Sequence, residues 1–245
     1  MNTTTELMRS HSSVRQFENK PIDTALLNEL VACGQAASSS SFIQAYSVIR
    51  VVDREKRKLL AQAAGNQGYV EQAAEFLVIC ADLKRIAYCC EKVDAGDLEG
   101  WTEHFMAATI DAALMAQNLM LAAESVDLGG VFIGGIRNDL QTVSKCLELP
   151  DLVYPAFGLC LGWPVKRNDV KPRFPVAAIL HQDTYDIAQI ADHVDRYDTT
   201  MSDYYASRQF SSKATDWSQQ AARAIQGKTR DYMLDFIQQQ GFLLK

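Results

Sequence analysis

The sequence lacks most of the signatures by which a reaction can be recognised. Its 6 cysteines form no CxxC pair and its 4 histidines no HExxH spacing, which removes the common zinc and redox-dithiol frameworks. Neither a GxGxxG fingerprint nor a P-loop GxxxxGKS is present, so the two phosphate cradles most legible in sequence are excluded. Positive charge is in deficit: 24 Lys and Arg stand against 30 Asp and Glu, a net charge of −6, and no nucleic-acid partner is expected. Residues 1–10 are polar, without the apolar stretch of a secretory signal, and no apolar run is read as long enough to span a membrane. These absences point to a soluble, cytoplasmic chain with no membrane partner. Cys33, Cys80, Cys89, Cys90, Cys146 and Cys160 are then expected as reduced thiols, the second and last of them inside apolar runs.

What is present is ordinary globular material, 48% hydrophobic and 22% charged over 245 residues. That is enough to bury a core without disulfide or metal staples. Helix signals run from Thr5 to Ser10 and from Pro21 through Leu26, Leu27, Leu30 and Val31. Tyr46–Asp53 reads as a strand, Arg54–Ala64 as a helix and Gly65–Gly68 as a turn. The run EFLVICA at 75–81 suits a central strand covered on both faces. From Leu98 to Asp127 the spacing predicts one long helix, closed by Gly129-Gly130. Its small and apolar residues occupy more than one face, so a dimer interface is expected to help cover it. Strands at 131–134 and 155–162 enclose a helix at 138–147, and helical stretches follow at 188–206 and 217–239. The interleaving predicts an α+β fold in three layers.

Three clusters could carry chemistry. His11-Ser12-Ser13-Val14-Arg15 gathers a cation, an imidazole and two hydroxyls that could serve one anion. On local sequence alone it reads first as a solvated helix end with a surface arginine. The serine run 38–41 could approach a flat ligand closely or be a polar loop. Lys171-Pro172-Arg173 holds two cations in extended geometry, in an otherwise acidic protein, and could also be a surface loop. Gly134-Gly135 leaves a strand end bare, as a turn would. No Ser-His-Asp arrangement or metal spacing appears, so no catalytic side chain is assigned and the chemistry is expected from a cofactor.

Taken together and in order, these segments resemble the oxygen-insensitive NADPH nitroreductase and flavin reductase P branch of the nitroreductase superfamily. HSSVRQF (11–17), SSSSFIQ (38–44), AAEFLVICAD (73–82), LGGVFIGGIRN (128–138), FGLCLGWP (157–164) and VKPRFP (170–175) carry the likeness, with YYASR (204–208) and TDWS (215–218) beyond them. The resemblance implies an FMN-dependent homodimer with a central, mostly antiparallel sheet between helical layers. It implies a core over 1–185 and a helical C-terminal extension over 186–245 that contributes to the dimer and the NADPH site. His11, Ser13, Lys171 and Arg173 match positions that hold the FMN phosphate and ribityl chain, and Ser12 and Val14 are counted with them as cofactor-binding. Arg15 matches a cation at the pyrimidine edge of the flavin. Ser39, Gln67, Phe132, Ile133, Gly134 and Gly135 match positions around the isoalloxazine. Arg208 and Lys213 match the NADPH side. Two departures are visible: Ser12 stands where related sequences commonly carry a basic residue, and QFSSKATDW (209–217) is less basic than its counterparts.

The resemblance implies transfer of hydride from NAD(P)H to FMN N5 and on to nitroaromatics, quinones or flavins, with the two substrates alternating at one flavin face. A fixed cation such as Arg15 would stabilise the negative charge that reduction leaves near N1 and O2. A flavin reductase supplying free reduced FMN to a partner enzyme, and a flavin-binding sensor without turnover, are the alternatives.

Overall fold

The computed structural model describes residues 2–207, 215–226 and 230–245. Its frame is a four-stranded sheet of β1 (Tyr46–Arg50), β2 (Glu75–Asp82), β3 (Gly129–Ile133) and β4 (Val153–Gly162), in the order β1-β2-β4-β3. Every pairing is antiparallel, with Val48 opposite Ile79, Phe76 opposite Cys160 and Val131 opposite Cys160 on the far side. All eight residues of β2 are buried; side chains alternate between two covered faces, so the run between Glu75 and Asp82 is apolar throughout. Leu77 and Ile79 face a core built with α2 (Thr24–Gln35) and α6 (Thr102–Ser125). Phe76, Val78 and Cys80 face a second core that contains Leu60, Ala61 and Ala64 from α3 (Arg54–Ala63) and its C-cap, with Val143 of α7 (Leu140–Leu147). These are the expected three layers. The register slips between Ile79 and Cys80, which pair with Phe157 and Pro155 and leave Ala156 over, a bulge in β4.

Helix α6 is the spine of the molecule. Ala112, Met115, Ala116, Leu119 and Met120 are fully buried against α2 and the sheet. By length and composition alone α6 could cross a membrane, contrary to the expectation that no run approaches that length. Its place in the core, with the carboxylates of Asp111 and Glu124 buried among protein atoms, is that of an interior helix. On its other side Met106, Ile110 and Leu114 are about half exposed, one turn apart on a common stripe.

Several boundaries differ from the sequence reading, each for a local reason. The second helix begins at Thr24 because Asp23, not Pro21, accepts the N–H of Ala25 and caps it. Gly129-Gly130 opens β3 instead of closing α6. A Cβ on Gly129 would lie 2.5 Å from Val14 Cγ2 and one on Gly130 2.6 Å from the Cys160 carbonyl, so these residues are small to let the chain pack closely. Helix α5 (Lys84–Lys92) was not anticipated. The stretch 217–239 holds two separate helices, α9 (Trp217–Gln226) and α10 (Met233–Gln239).

Two compact units are distinguished, residues 1–168 with 230–245, and residues 169–229. In the first, α10 and Phe242 pack with Ala108, Leu140 and Tyr154. α1 (Thr3–Arg9) precedes the sheet and α4 (Tyr69–Gln72) leads into β2. In the second, Tyr197, Met201 and Tyr205 of α8 (Ile190–Ser207) are buried with Phe174 and Trp217, and Ser218 N–H is capped by Asp198.

Candidate functional site

The segment after α1 is fastened along the edge of β3 and the end of β4. Val14 N–H donates to the Gly130 carbonyl at 2.9 Å, Glu18 N–H to Trp163, and Val165 N–H to Gln16. Asn168 Nδ2 donates to the Ser13 carbonyl at 2.8 Å. With Val14 wholly buried, alternation sends Ser13 and Arg15 to the opposite side. Arg15 is exposed and has no hydrogen bond or ion pair among the described residues. His11 is held differently. Its Nδ1 lies 2.7 Å from Oε1 of Glu124, whose side chain is 3% exposed against 29% for the imidazole. The serine run sits against α6. Ser40 and Ala45 N–H groups both donate to Asp111, at 2.8 and 3.1 Å, and Gln44 N–H donates to Ser39 Oγ at 3.2 Å. Between these ties Ser41, Phe42 and Gln44 take φ values of 45°, 59° and 50°, left-handed backbone that side chains disfavour. Phe42 projects with 80% of its surface exposed. A cavity of about 280 Å³ lies between this loop and α6, reaching Ser39, Met106, Ile110 and Asp111.

Gln67, Gly134 and Gly135 meet at the far end of β3. The chain turns there in a short 3₁₀ segment, Gly134–Asn138. A Cβ on Gly135 would stand 2.4 Å from the Ala64 carbonyl and 2.9 Å from Gln67 Nε2, so only glycine lets the turn rest on the end of α3. Gln67 Oε1 accepts from Tyr69 Oη at 2.8 Å. The three nearest neighbours of a Cβ on Gly134 would all be guanidinium atoms of Arg137, the closest at 3.2 Å. Phe132 leans edge-on against Phe157 with ring centroids 5.4 Å apart, while Ile133 is buried.

Two cations at this turn were not singled out from the sequence. Arg137 Nη1 donates to the Ala156 carbonyl at 2.6 Å. Arg230 donates from Nε and Nη2 to Asn138 Oδ1, at 3.1 and 2.8 Å, and from Nη2 to the Gly134 carbonyl at 3.3 Å. Burial, reinforced by Arg230, lowers the pKa of Arg137. Neither guanidinium has a carboxylate partner among the described residues, an arrangement that suits an anionic or electron-accepting ligand. Arg137 lies in the quoted segment 128–138, and an arginine two residues past two glycines is the signal that could have found it. Arg230 follows α9 in sequence, remote from every motif, and only folding brings it here.

Lys171 and Arg173 belong to the second unit. Arg173 Nη1 donates to the Lys171 carbonyl at 2.8 Å, and Lys171 Nζ stands 5.8 Å from the centroid of the Tyr205 ring. Arg208 and Lys213 lie outside the described residues.

Two family models cover nearly all of this architecture, one for the nitroreductase family over residues 8–163 and one for the nitroreductase family C-terminal domain over 171–245. The chain belongs to the nitroreductase family. Among its relatives it is 43% identical over 241 residues to a NADPH-flavin oxidoreductase of Vibrio harveyi, with 98% of each chain covered. It is 39% identical over 244 residues to an oxygen-insensitive NADPH nitroreductase of Salmonella typhimurium, with 99% of each covered. The crystal structure of nitroreductase A from Vibrio parahaemolyticus superposes with a TM-score of 0.91 at 42% identity and full coverage of both chains.

FMN suits the residues this nitroreductase presents in the first unit. The Arg137 guanidinium beside Gly134 and the Gln67 amide beside Gly135 can both donate to polar groups of a flavin. Ser13 and Arg15 are turned away from the core, where they can reach polar groups of a ligand. No Asp, Glu, His or Cys cluster suited to a metal ion occurs among the described residues.

Proposed function

We propose that this nitroreductase family member is an FMN-dependent NADPH oxidoreductase that reduces nitroaromatics, quinones and flavins. The observation that carries this reading is the Gly134–Asn138 turn, where Arg137 and Arg230, neither with a carboxylate partner among the described residues, gather beside Gly134. The relatives' names, NADPH-flavin oxidoreductase and oxygen-insensitive NADPH nitroreductase, support the same chemistry.

FMN, when bound, accepts hydride from NADPH at N5 and passes it to the acceptor; the chain's work is to hold and polarise. His11, Ser13, Lys171 and Arg173 bind the phosphate and ribityl chain, and Ser12 and Val14 belong to the same cofactor-binding segment as His11, which Val14 anchors through Gly130. Arg15 supplies a cation at the pyrimidine edge. Ser39, Gln67 and residues 132–135 line the ring. Arg208 and Lys213 bind NADPH phosphates. A second copy of the chain covers the half-exposed Met106, Ile110 and Leu114 of α6, making a homodimer. We place the reaction in the cytoplasm, where NADPH is supplied.

The test is steady-state kinetics of Arg208→Ala. A raised KM for NADPH with FMN retained supports the assignment; unchanged NADPH kinetics contradicts it. A second reading, supply of free reduced FMN to a partner enzyme, is favoured by the 43% identity to the NADPH-flavin oxidoreductase. Comparing kcat/KM for free FMN with that for a nitroaromatic separates the two.

A further inference from the structure

We infer that Glu124 is a positioning residue that holds His11 as an imidazolium, with Nε2–H turned outward to receive the FMN phosphate. The inference rests on the reading of His11 as a phosphate ligand and adds a residue to it. Glu124 occupies the last turn of α6 and its side chain is almost wholly enclosed, 3% exposed. A carboxylate is poorly placed there twice over, since burial costs it hydration and the helix C-terminus carries partial negative charge. Its side chain has one hydrogen-bond partner among the described residues, His11 Nδ1 at 2.7 Å. A buried anion with a single partner stabilises positive charge on that partner. With both ring nitrogens protonated, Nδ1–H donates to Glu124 and Nε2–H is left for a ligand. Nε2 has no hydrogen-bond partner among the described residues, and the His11 side chain is 29% exposed. An imidazolium between a carboxylate and a phosphate is attracted by both, which fixes ring orientation as well as charge.

Comparison of FMN with riboflavin isolates the phosphate contact, since riboflavin lacks only the phosphate. In Glu124→Gln the amide oxygen can still accept from Nδ1–H, but the charge that favours the imidazolium is gone. The affinity of the flavin-free, full-length chain for FMN should fall about tenfold, with riboflavin affinity unchanged. Loss of packing would weaken both ligands equally, and that result overturns the inference. The unsubstituted, FMN-loaded chain gives an independent readout by long-range 1H–15N spectra of its histidines, with His11→Ala assigning the signals. Two protonated nitrogens on His11 at neutral pH are expected, and an unprotonated Nδ1 contradicts the role given to Glu124. His11→Ala also separates the two levels of the argument. If it leaves the FMN-to-riboflavin preference intact, the phosphate assignment of His11 fails. If it abolishes the preference while Glu124→Gln does not, the inference about Glu124 alone fails.

Discussion

The Asp111 carboxylate accepts the backbone N–H of Ser40 at 2.8 Å, and its second oxygen takes Ala45 N–H at 3.1 Å. One buried side chain in the middle of α6 therefore closes the loop that carries Ser39 and the left-handed residues Ser41, Phe42 and Gln44. Asp111→Ala should leave the buried Ala45 N–H and the part-buried Ser40 N–H without their acceptor and cost about 2 kcal/mol in urea unfolding. Asp111→Asn retains an acceptor for one of them and should cost less. Equal, small losses for both would show that the loop holds its shape without Asp111.

Gly134 and Gly135 make a pair whose substitutions should part company. Alanine at 135 drives a methyl to 2.4 Å from the backbone carbonyl of Ala64, which cannot yield cheaply. Gly135→Ala should lose on the order of 3 kcal/mol of stability. Alanine at 134 meets a long, flexible guanidinium at 3.2 Å, so Gly134→Ala should fold with near-normal stability. Its effect should appear in flavin binding, as a raised Kd for FMN in titrations. A Gly134→Ala protein with unaltered FMN affinity would remove this turn from the flavin site.

Stability should fall in alkali for reasons visible in the core. Burial pushes the thiols of Cys80 and Cys160 far above their ordinary range and raises the Tyr154 phenol from 10.0 to about 12, the Thr109 hydrogen bond opposing it. Each folded-state pKa lies above its unfolded value, so the folded chain keeps protons that the unfolded chain releases. The contribution is fully present below the unfolded pKa and is lost as pH rises toward the folded one. For the thiols the loss begins near pH 8.5. For Tyr154 it runs from pH 10.0 to about 12 and amounts to at most about 3 kcal/mol. Unfolding free energies across this range should decline less steeply above pH 10 in Tyr154→Phe than in the parent. Parallel curves would contradict a buried, neutral phenol.

Much of this architecture was legible because burial writes itself into pattern. EFLVICA announced β2 since both its faces are covered, and the spacing of α6 announced an interior helix. Helix α5 was missed because it begins Lys84-Arg85 with Leu83 at its N-cap, a residue whose side chain cannot accept an N–H. The split near residue 230 was missed because helical spacing continues into α10. In the site, the basic and serine-rich clusters were visible, but Glu124, Arg137 and Arg230 act through folding. A glutamate in a last helical turn looks like any solvated charge. Asp111 did leave a signal: it is the lone charged residue between His104 and Glu124, and an isolated charge inside an apolar helix asks for a buried partner.

The account turns on bound flavin that NADPH reduces, and the visible absorption spectrum of the purified protein before and after anaerobic NADPH tests this most directly. The expected protein is yellow, bleaches on NADPH and regains its colour when a nitroaromatic or quinone is added. A flavin spectrum that NADPH leaves unchanged, or a colourless protein that fails to take up added FMN, would contradict it.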